Sequence, residues 1–189
     1  MADAENSTAP RTLFLLRHAQ ALSTPAGGQD FDRKLSPKGI EDAQALGRHL
    51  KSKGYKPDFI LCSSAQRTRQ TCENIIEGYG KTFNVEYTKD LYSATRGQLL
   101  NKIQDVHPNI HSLMMIAHNP FIYELAAFLA SSGSDHMLSR LSHGYEPATC
   151  TVFDAPFAGW YEIDPRRMVL KDIFSPIDYN APERPTRWM

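Results

Sequence analysis

Three short segments of this chain carry side chains suited to handling a phosphoryl group. Arg17-His18 closes the apolar run Thr12-Leu13-Phe14-Leu15-Leu16. Ser63-Ser64-Ala65-Gln66-Arg67-Thr68 follows a second run, Phe59-Ile60-Leu61-Cys62. His118-Asn119-Pro120 follows a third, Leu113-Met114-Met115-Ile116, with Ala117 between. A guanidinium is a fixed fork of donors that can hold two phosphate oxygens. A neutral imidazole can attack phosphorus and carry the phosphoryl group covalently. The hydroxyl of Ser63 and the free N–H groups of a starting helix favour an anion. A cation at that helix start opposes the macrodipole, and a local anion would account for Arg67 there. His118, with Asn119 beside it, could donate to an equatorial phosphate oxygen. Taken singly, each residue has an ordinary explanation: His18 as a strand cap, Arg67 as a surface cation, His118 as a satisfied, partly buried histidine. Together, two arginines and two histidines at three strand ends form a compact cationic pocket for one tetrahedral anion.

The elements that must position these residues can be read from periodicity. The run at 12–16 suits a strand buried on both faces of a largely parallel sheet. A polar loop spans Ala19 to Leu35, and Ser36-Pro37 then reads as an N-cap with proline in the first helical turn. Ile40, Ala43, Leu46, Gly47 and Leu50 recur at helical spacing up to Gly54. After the second strand, Ala65, Thr68, Cys72, Ile75 and Ile76 make one helix face. Phe83, Val85 and Tyr87 alternate as a third strand, and Leu99, Leu100, Ile103 and Val106 mark another helix. Asn119-Pro120 restarts a helix after the fourth strand, with Ile122, Leu125, Ala126 and Leu129 on its inner face. Ser131 to Pro147 reads as a polar loop. Thr149–Asp154 and Met168–Phe174 read as two final strands, a hairpin around Gly159-Trp160. Alternating strands and helices imply an α/β fold with a mixed, mostly parallel sheet. Ligands of such sheets bind beyond the carboxyl ends of the strands, where all three segments fall.

Composition narrows the setting. The 189 residues hold 41% hydrophobic and 22% charged side chains, which fits one domain with a substantial core. Lys and Arg balance Asp and Glu at 21 each. That balance gives no reason to expect nucleic acid or an anionic membrane as a partner. Cys62, Cys72 and Cys150 are scattered, which argues against a disulfide framework or a zinc site. Residues 1–10 have neither a basic start nor an apolar run, so no signal peptide is expected and a cytoplasmic location is. They read as a disordered segment, residues 11–175 as the domain, and 176–189 as a proline-rich tail.

The same residues resemble motifs of the histidine phosphatase superfamily. Leu16-Arg17-His18-Ala19 looks like its RHG-type motif, with Ala19 where glycine is commonest. Leu35-Ser36-Pro37-Lys38-Gly39, with Ala43 and Gln44, looks like the LTxxGxxQA segment that opens the first helix. Ser63 to Thr71 resembles the SPLxRAxQT segment. His118-Asn119-Pro120 resembles the GHNP form of the short phosphohistidine phosphatases. The resemblance runs from about Thr12 to Phe174. It implies a three-layer α/β/α domain of the phosphoglycerate mutase-like type. It also implies that His18 is transiently phosphorylated while Arg17, Arg67 and His118 complete the pocket, with no metal or organic cofactor needed.

A general acid is less plain. Larger members of the superfamily use Glu or Asp after the third strand, and Asp90 is the nearest carboxylate here. Asp30 and Asp32 are rivals. An alkoxide leaving group needs a proton donor, whereas the imidazole of a phosphohistidine can already carry its proton. The expected substrate is therefore a phosphohistidine protein. The alternatives are a sugar or nucleotide phosphate, cleaved by a small-molecule phosphomonoesterase, and a non-catalytic phosphate-binding module.

Overall fold

The structure, a computed structural model, describes residues 10–179. Strand β1 (Arg11–Arg17) shows why its sequence is continuously apolar: Leu13 to Leu16 are all fully buried. Successive side chains point to opposite faces. Leu13 and Leu15 enter one core, Phe14 and Leu16 the other. Strand β4 (Ser112–Ala117) divides in the same way, Leu113 and Met115 against Met114 and Ile116. A sheet covered on both faces leaves no room for polar alternation.

Beside these lie β2 (Phe59–Ser63), β3 (Asn84–Thr88), β5 (Ser132–Gly133), β6 (Cys150–Ala155) and β7 (Val169–Phe174), in the order β3-β2-β4-β1-β6-β7-β5. Strands β3, β2, β4 and β1 are mutually parallel. Strand β6 is antiparallel to both β1 and β7, with Cys150 opposite Leu16. Strand β5 is parallel to β7. One reversed strand makes the sheet mixed and mostly parallel, as expected.

Helices α1 (Pro37–Ser52) and α2 (Gln66–Tyr79) cover one face through Leu46, Leu50, Cys72 and Ile75. Helices α3 (Arg96–Gln104) and α4 (Phe121–Leu129) cover the other through Leu99, Ile103, Ile122 and Leu125. The result is the three-layer α/β/α arrangement. Ser36 caps α1 by accepting from the Gly39 N–H at 3.0 Å, with Pro37 in the first turn. The start of α1 lies so close to the chain after β1 that a Cβ on Gly39 would stand 2.1 Å from the Gln20 carbonyl oxygen. Only glycine allows that approach.

Three sequence expectations change. The polar loop at 131–147 contains β5 and helix α5 (Asp135–Ser142), which Ser134 caps through the Met137 N–H. Its apolar side is short: Leu141 is buried, and Met137 and Leu138 pack against the core from its edge. The last two strands do pair, but two 3-10 turns (Trp160–Glu162 and Pro165–Arg167) separate them instead of a tight turn. Trp160 is itself core, donating its indole N–H to the Ile110 carbonyl at 2.7 Å. Pro176–Tyr179, read as the start of a tail, form a short helix, α6. It is tied down by Tyr179, which donates to the Ala148 carbonyl at 2.8 Å, and by Asp178, paired with Arg140 at 2.6 Å. The expected disordered segment, residues 1–10, lies outside the described residues except for Pro10, and so does the rest of the tail, 180–189.

Candidate active site

Register explains why distant residues meet. Arg17 at the end of β1 is paired with Ala117 at the end of β4, so His18 and His118 leave neighbouring parallel strands together. The His18 N–H donates to the Ala117 carbonyl at 3.2 Å. The two imidazoles stand 5.3 Å apart, centroid to centroid. Strand β2, on the far side of β4, ends at Ser63, whose Oγ lies 2.8 Å from His118 Nε2. Arg67, in the first turn of α2, is buried and donates from Nε to His18 Nε2 at 3.2 Å. Arg17 extends from β1 and donates from Nη1 to the Tyr145 carbonyl at 2.6 Å. Asn119 Nδ2 donates to the same carbonyl at 3.0 Å.

The tautomer of His18 follows from its neighbours. Nδ1 lies 2.8 Å from the Ala19 carbonyl oxygen. A carbonyl only accepts, so Nδ1 carries the hydrogen and Nε2 presents its lone pair. The N–H of Arg67 pointing at Nε2 agrees. Burial lowers the His18 pKa to about 4, helped by Arg67, Arg17 and Arg33 and opposed by the Ala19 bond. Burial, then His18 and Arg67, lowers His118 to about 3. Both rings are neutral at neutral pH.

The backbone around His18 is fixed from three sides. The Ala19 N–H donates to Thr71 Oγ1 of α2 at 3.0 Å. The Gln20 carbonyl accepts from the Ser36 N–H at 2.9 Å. Ala148, buried and held at φ 63°, donates to the His18 carbonyl at 3.1 Å. A left-handed alanine is strained, and such strain persists only where surrounding structure enforces it.

The carboxylates fall differently from the expectation. Asp90, the tentative acid, is exposed and bound to Lys102 of α3 at 2.6 Å. The 3-10 turn that carries it (Lys89–Leu91) turns it to that lysine, and no contact ties it to the four pocket residues. Asp32 is exposed on a second 3-10 turn, Asp30–Asp32. The rival that reaches the site is Asp30. Arg67 donates to its backbone carbonyl at 2.6 Å and to its carboxylate at 3.0 Å. Arg33 donates to the other carboxylate oxygen at 2.9 Å, and the Tyr92 hydroxyl donates at 2.8 Å. The bonds from Arg33 and Tyr92 lead in lowering the Asp30 carboxyl to about 2. It is ionised, and so is no resting proton donor.

Several contributors were not foreseen. Tyr92 stands edge-on to His118, with ring centroids 5.5 Å apart, and the Arg67 guanidinium lies 5.7 Å from its ring centroid. Thr71 and Arg33 fell in segments already assigned to a helix and a loop. Tyr145 acts through its carbonyl, which no residue type announces. Three atoms of the site are buried without a hydrogen-bond partner among the described residues: Arg17 Nε, His118 Nδ1 and Asn119 Oδ1. Among the described residues no group of three or more His, Cys, Asp or Glu is arranged to hold a metal ion. No helix among them is long and apolar enough to cross a membrane.

Comparison with known proteins agrees with this geometry. Residues 13–140 match the model of the histidine phosphatase superfamily, branch 1. An uncharacterized protein of Mycobacterium tuberculosis is 33% identical over 153 residues, covering 79% of this chain and 92% of that one. The structure of SixA from Agrobacterium tumefaciens, provisionally named a phosphohistidine phosphatase, is 28% identical with a TM-score of 0.74. That match covers 88% of this chain and 99% of SixA. A protein histidine phosphatase SixA complexed with tungstate shares the fold, with a TM-score of 0.69 at 18% identity over 88% of this chain and 98% of that one. The chain belongs to the histidine phosphatase superfamily. Its activity is that of a phosphatase, and its substrates are phosphorylated molecules.

Proposed function

We propose that this phosphatase works through a phosphohistidine formed on His18 and that its substrates are phosphohistidine residues of proteins. The observation that carries this reading is the neutral His18 ring. Its hydrogen is held on Nδ1 by Ala19 and its Nε2 lone pair meets the Arg67 N–H. In the first step Nε2 attacks phosphorus, and the bond to the leaving nitrogen breaks with its electron pair kept by that nitrogen. Arg67 Nε turns from the lone pair to a phosphoryl oxygen. In the second step water attacks phosphorus and His18 leaves. Negative charge spreads over the equatorial oxygens in both transition states. Arg17, Arg67 and His118 serve them, each well-aimed donor contributing ~3 kcal/mol, as an oxyanion-hole donor does. Ser63 orients His118, and Asn119 shares the carbonyl that fixes Arg17. Buried polar atoms without partners are uncommon. A phosphoryl oxygen would pair the Arg17 Nε–H. Neither step draws on a metal or an organic cofactor.

The substrate class rests on the carboxylates. Asp30 and Asp90 are both held ionised by cations, which suits a leaving group that needs no proton delivered. The SixA likeness supports the same class. A cytoplasmic setting fits the balanced charge and three free, buried cysteines. The test begins with His18→Ala, which should abolish turnover of an aryl phosphate while the fold stays intact. Undiminished hydrolysis by that variant would refute the nucleophile. A phosphohistidine-bearing protein domain is then assayed beside a panel of sugar and nucleotide phosphates. A preference for one ester by orders of magnitude would overturn the substrate class.

A further inference from the structure

We propose that Asp30 selects an imidazole leaving group, its carboxylate accepting a hydrogen bond from the protonated ring nitrogen of the departing phosphohistidine. The inference rests on the substrate reading above and names the residue that would enforce it.

Position comes first. One guanidinium separates the carboxylate from the nucleophilic nitrogen: Arg67 touches His18 through Nε and Asp30 through Nη2. His18 and Arg67 are buried, 9% and 5% exposed, while the Asp30 side chain is 48% exposed. In an in-line displacement the leaving group departs on the side of phosphorus opposite the nucleophile. With His18 at the floor, that side is the solvent side, where Asp30 lies. Tyr92, bonded to Asp30 and edge-on to His118, stands beside it with Phe31 packed on its ring at 4.9 Å. These two rings offer a planar group a wall to lie along.

Acceptor capacity comes next. A carboxylate has about four lone-pair sites. Arg33 uses one on Oδ1, and Tyr92 and Arg67 use those on Oδ2. One site on Oδ1 is left for the leaving group.

The chemistry then selects. A phosphoimidazole protonated on its second ring nitrogen carries a positive charge on the ring, apart from the negative charge of its phosphoryl group. When Nε2 of His18 forms its bond to phosphorus, the old N–P bond breaks and its electron pair stays on the leaving nitrogen. The product is neutral imidazole, still carrying the proton on its other nitrogen. No proton has to be delivered. A fixed anion beside the ring holds this imidazolium and keeps it protonated to higher pH. The same anion repels a developing alkoxide. Arg33 and Tyr92 keep the carboxylate charged throughout this range.

The test compares wild type with Asp30→Asn on phosphoimidazole and on p-nitrophenyl phosphate, whose nitrophenolate leaves without a proton. The ratio of kcat/KM for phosphoimidazole to that for the aryl phosphate should fall about tenfold or more, whatever happens to the aryl rate. The alkaline limb of kcat on phosphoimidazole should move to lower pH, since kcat reports groups in the bound complex. Asp30→Glu, which keeps the charge, should retain more of the ratio than Asp30→Asn. Equal losses on both substrates, or an unchanged ratio, would overturn the role of Asp30 and leave the substrate reading standing. A wild-type enzyme that hydrolyses the aryl phosphate but not phosphoimidazole would overturn both.

Discussion

The loop after β1 and the turn after β3 each hold an aspartate on a short 3-10 helix, and the two aspartates have opposite surroundings. Asp90 meets a single lysine at the surface. Asp30 meets Arg33, Arg67 and Tyr92, and through Arg67 it is joined to His18. Both carboxyls are held below the ordinary range by bonds from cations, so charge state does not distinguish them. Connectivity does. An exposed ion pair is worth little by itself, whereas a carboxylate joined to a buried guanidinium can act on what that guanidinium touches.

The sharpest way to break this contrast is to remove the link. Arg67→Ala should lower kcat/KM by about 10²–10³-fold, the loss of one donor aimed at transition-state charge. Steady-state kinetics on an aryl phosphate decides it, and a loss under threefold would mean that Arg67 does not face the reacting group.

Acid tests the histidines that the first region surrounds. His18 and His118 have folded-state values of about 4 and 3, against an ordinary 6.5. The unfolded chain therefore takes up protons below pH 6.5 that the folded chain refuses. Stability is complete above pH 6.5 and falls, by a few kcal/mol, as pH drops towards 4. His49, whose pKa burial also lowers, adds to the same fall. Thermal midpoints from pH 7 to 4.5 should drop less in His18→Asn than in wild type. Parallel curves would show that His18 is not held neutral by the fold.

A smaller effect is expected where α1 presses on the loop that leads to Asp30. Gly39→Ala puts a methyl group 2.1 Å from the Gln20 carbonyl, so the backbone must move. It should cost about 1–3 kcal/mol in a denaturant titration, and an unchanged midpoint would mean that the approach is loose. Smallest of all is Asp90→Asn. Turnover of an aryl phosphate should stay within about twofold of wild type, as for a side chain whose ion pair is exposed. A tenfold loss would restore Asp90 as the acid.

What the sequence disclosed was what side chains at strand ends disclose. Arg17, His18, Arg67 and His118 each sit beside an apolar run that fixes where a strand stops, so their meeting follows from the sheet. Asp30 could be named as a rival but not placed, because the path of a polar loop carries no periodicity. Tyr145 was invisible, since its contribution is a carbonyl that every residue has. Helix α5 was missed because an element whose apolar side is Met137, Leu138 and Leu141 gives too few turns to show a period.

The reversed direction of β6 has its own consequence. Forward strands here deliver their carboxyl ends to the site, and what they offer is side chains: Arg17 and His18 from β1, Ser63 from β2 and His118 from β4. A backward strand arrives with its amino end, and the lead-in from Tyr145 to Thr149 exposes oxygen as well. Thr149 accepts from the Arg17 amide at 3.1 Å, and Tyr145 accepts from its guanidinium. Strand polarity thus divides the labour. Three of the strands around the site end on the side chains proposed to hold the anion, and the fourth steers Arg17, one of the cations proposed to meet it.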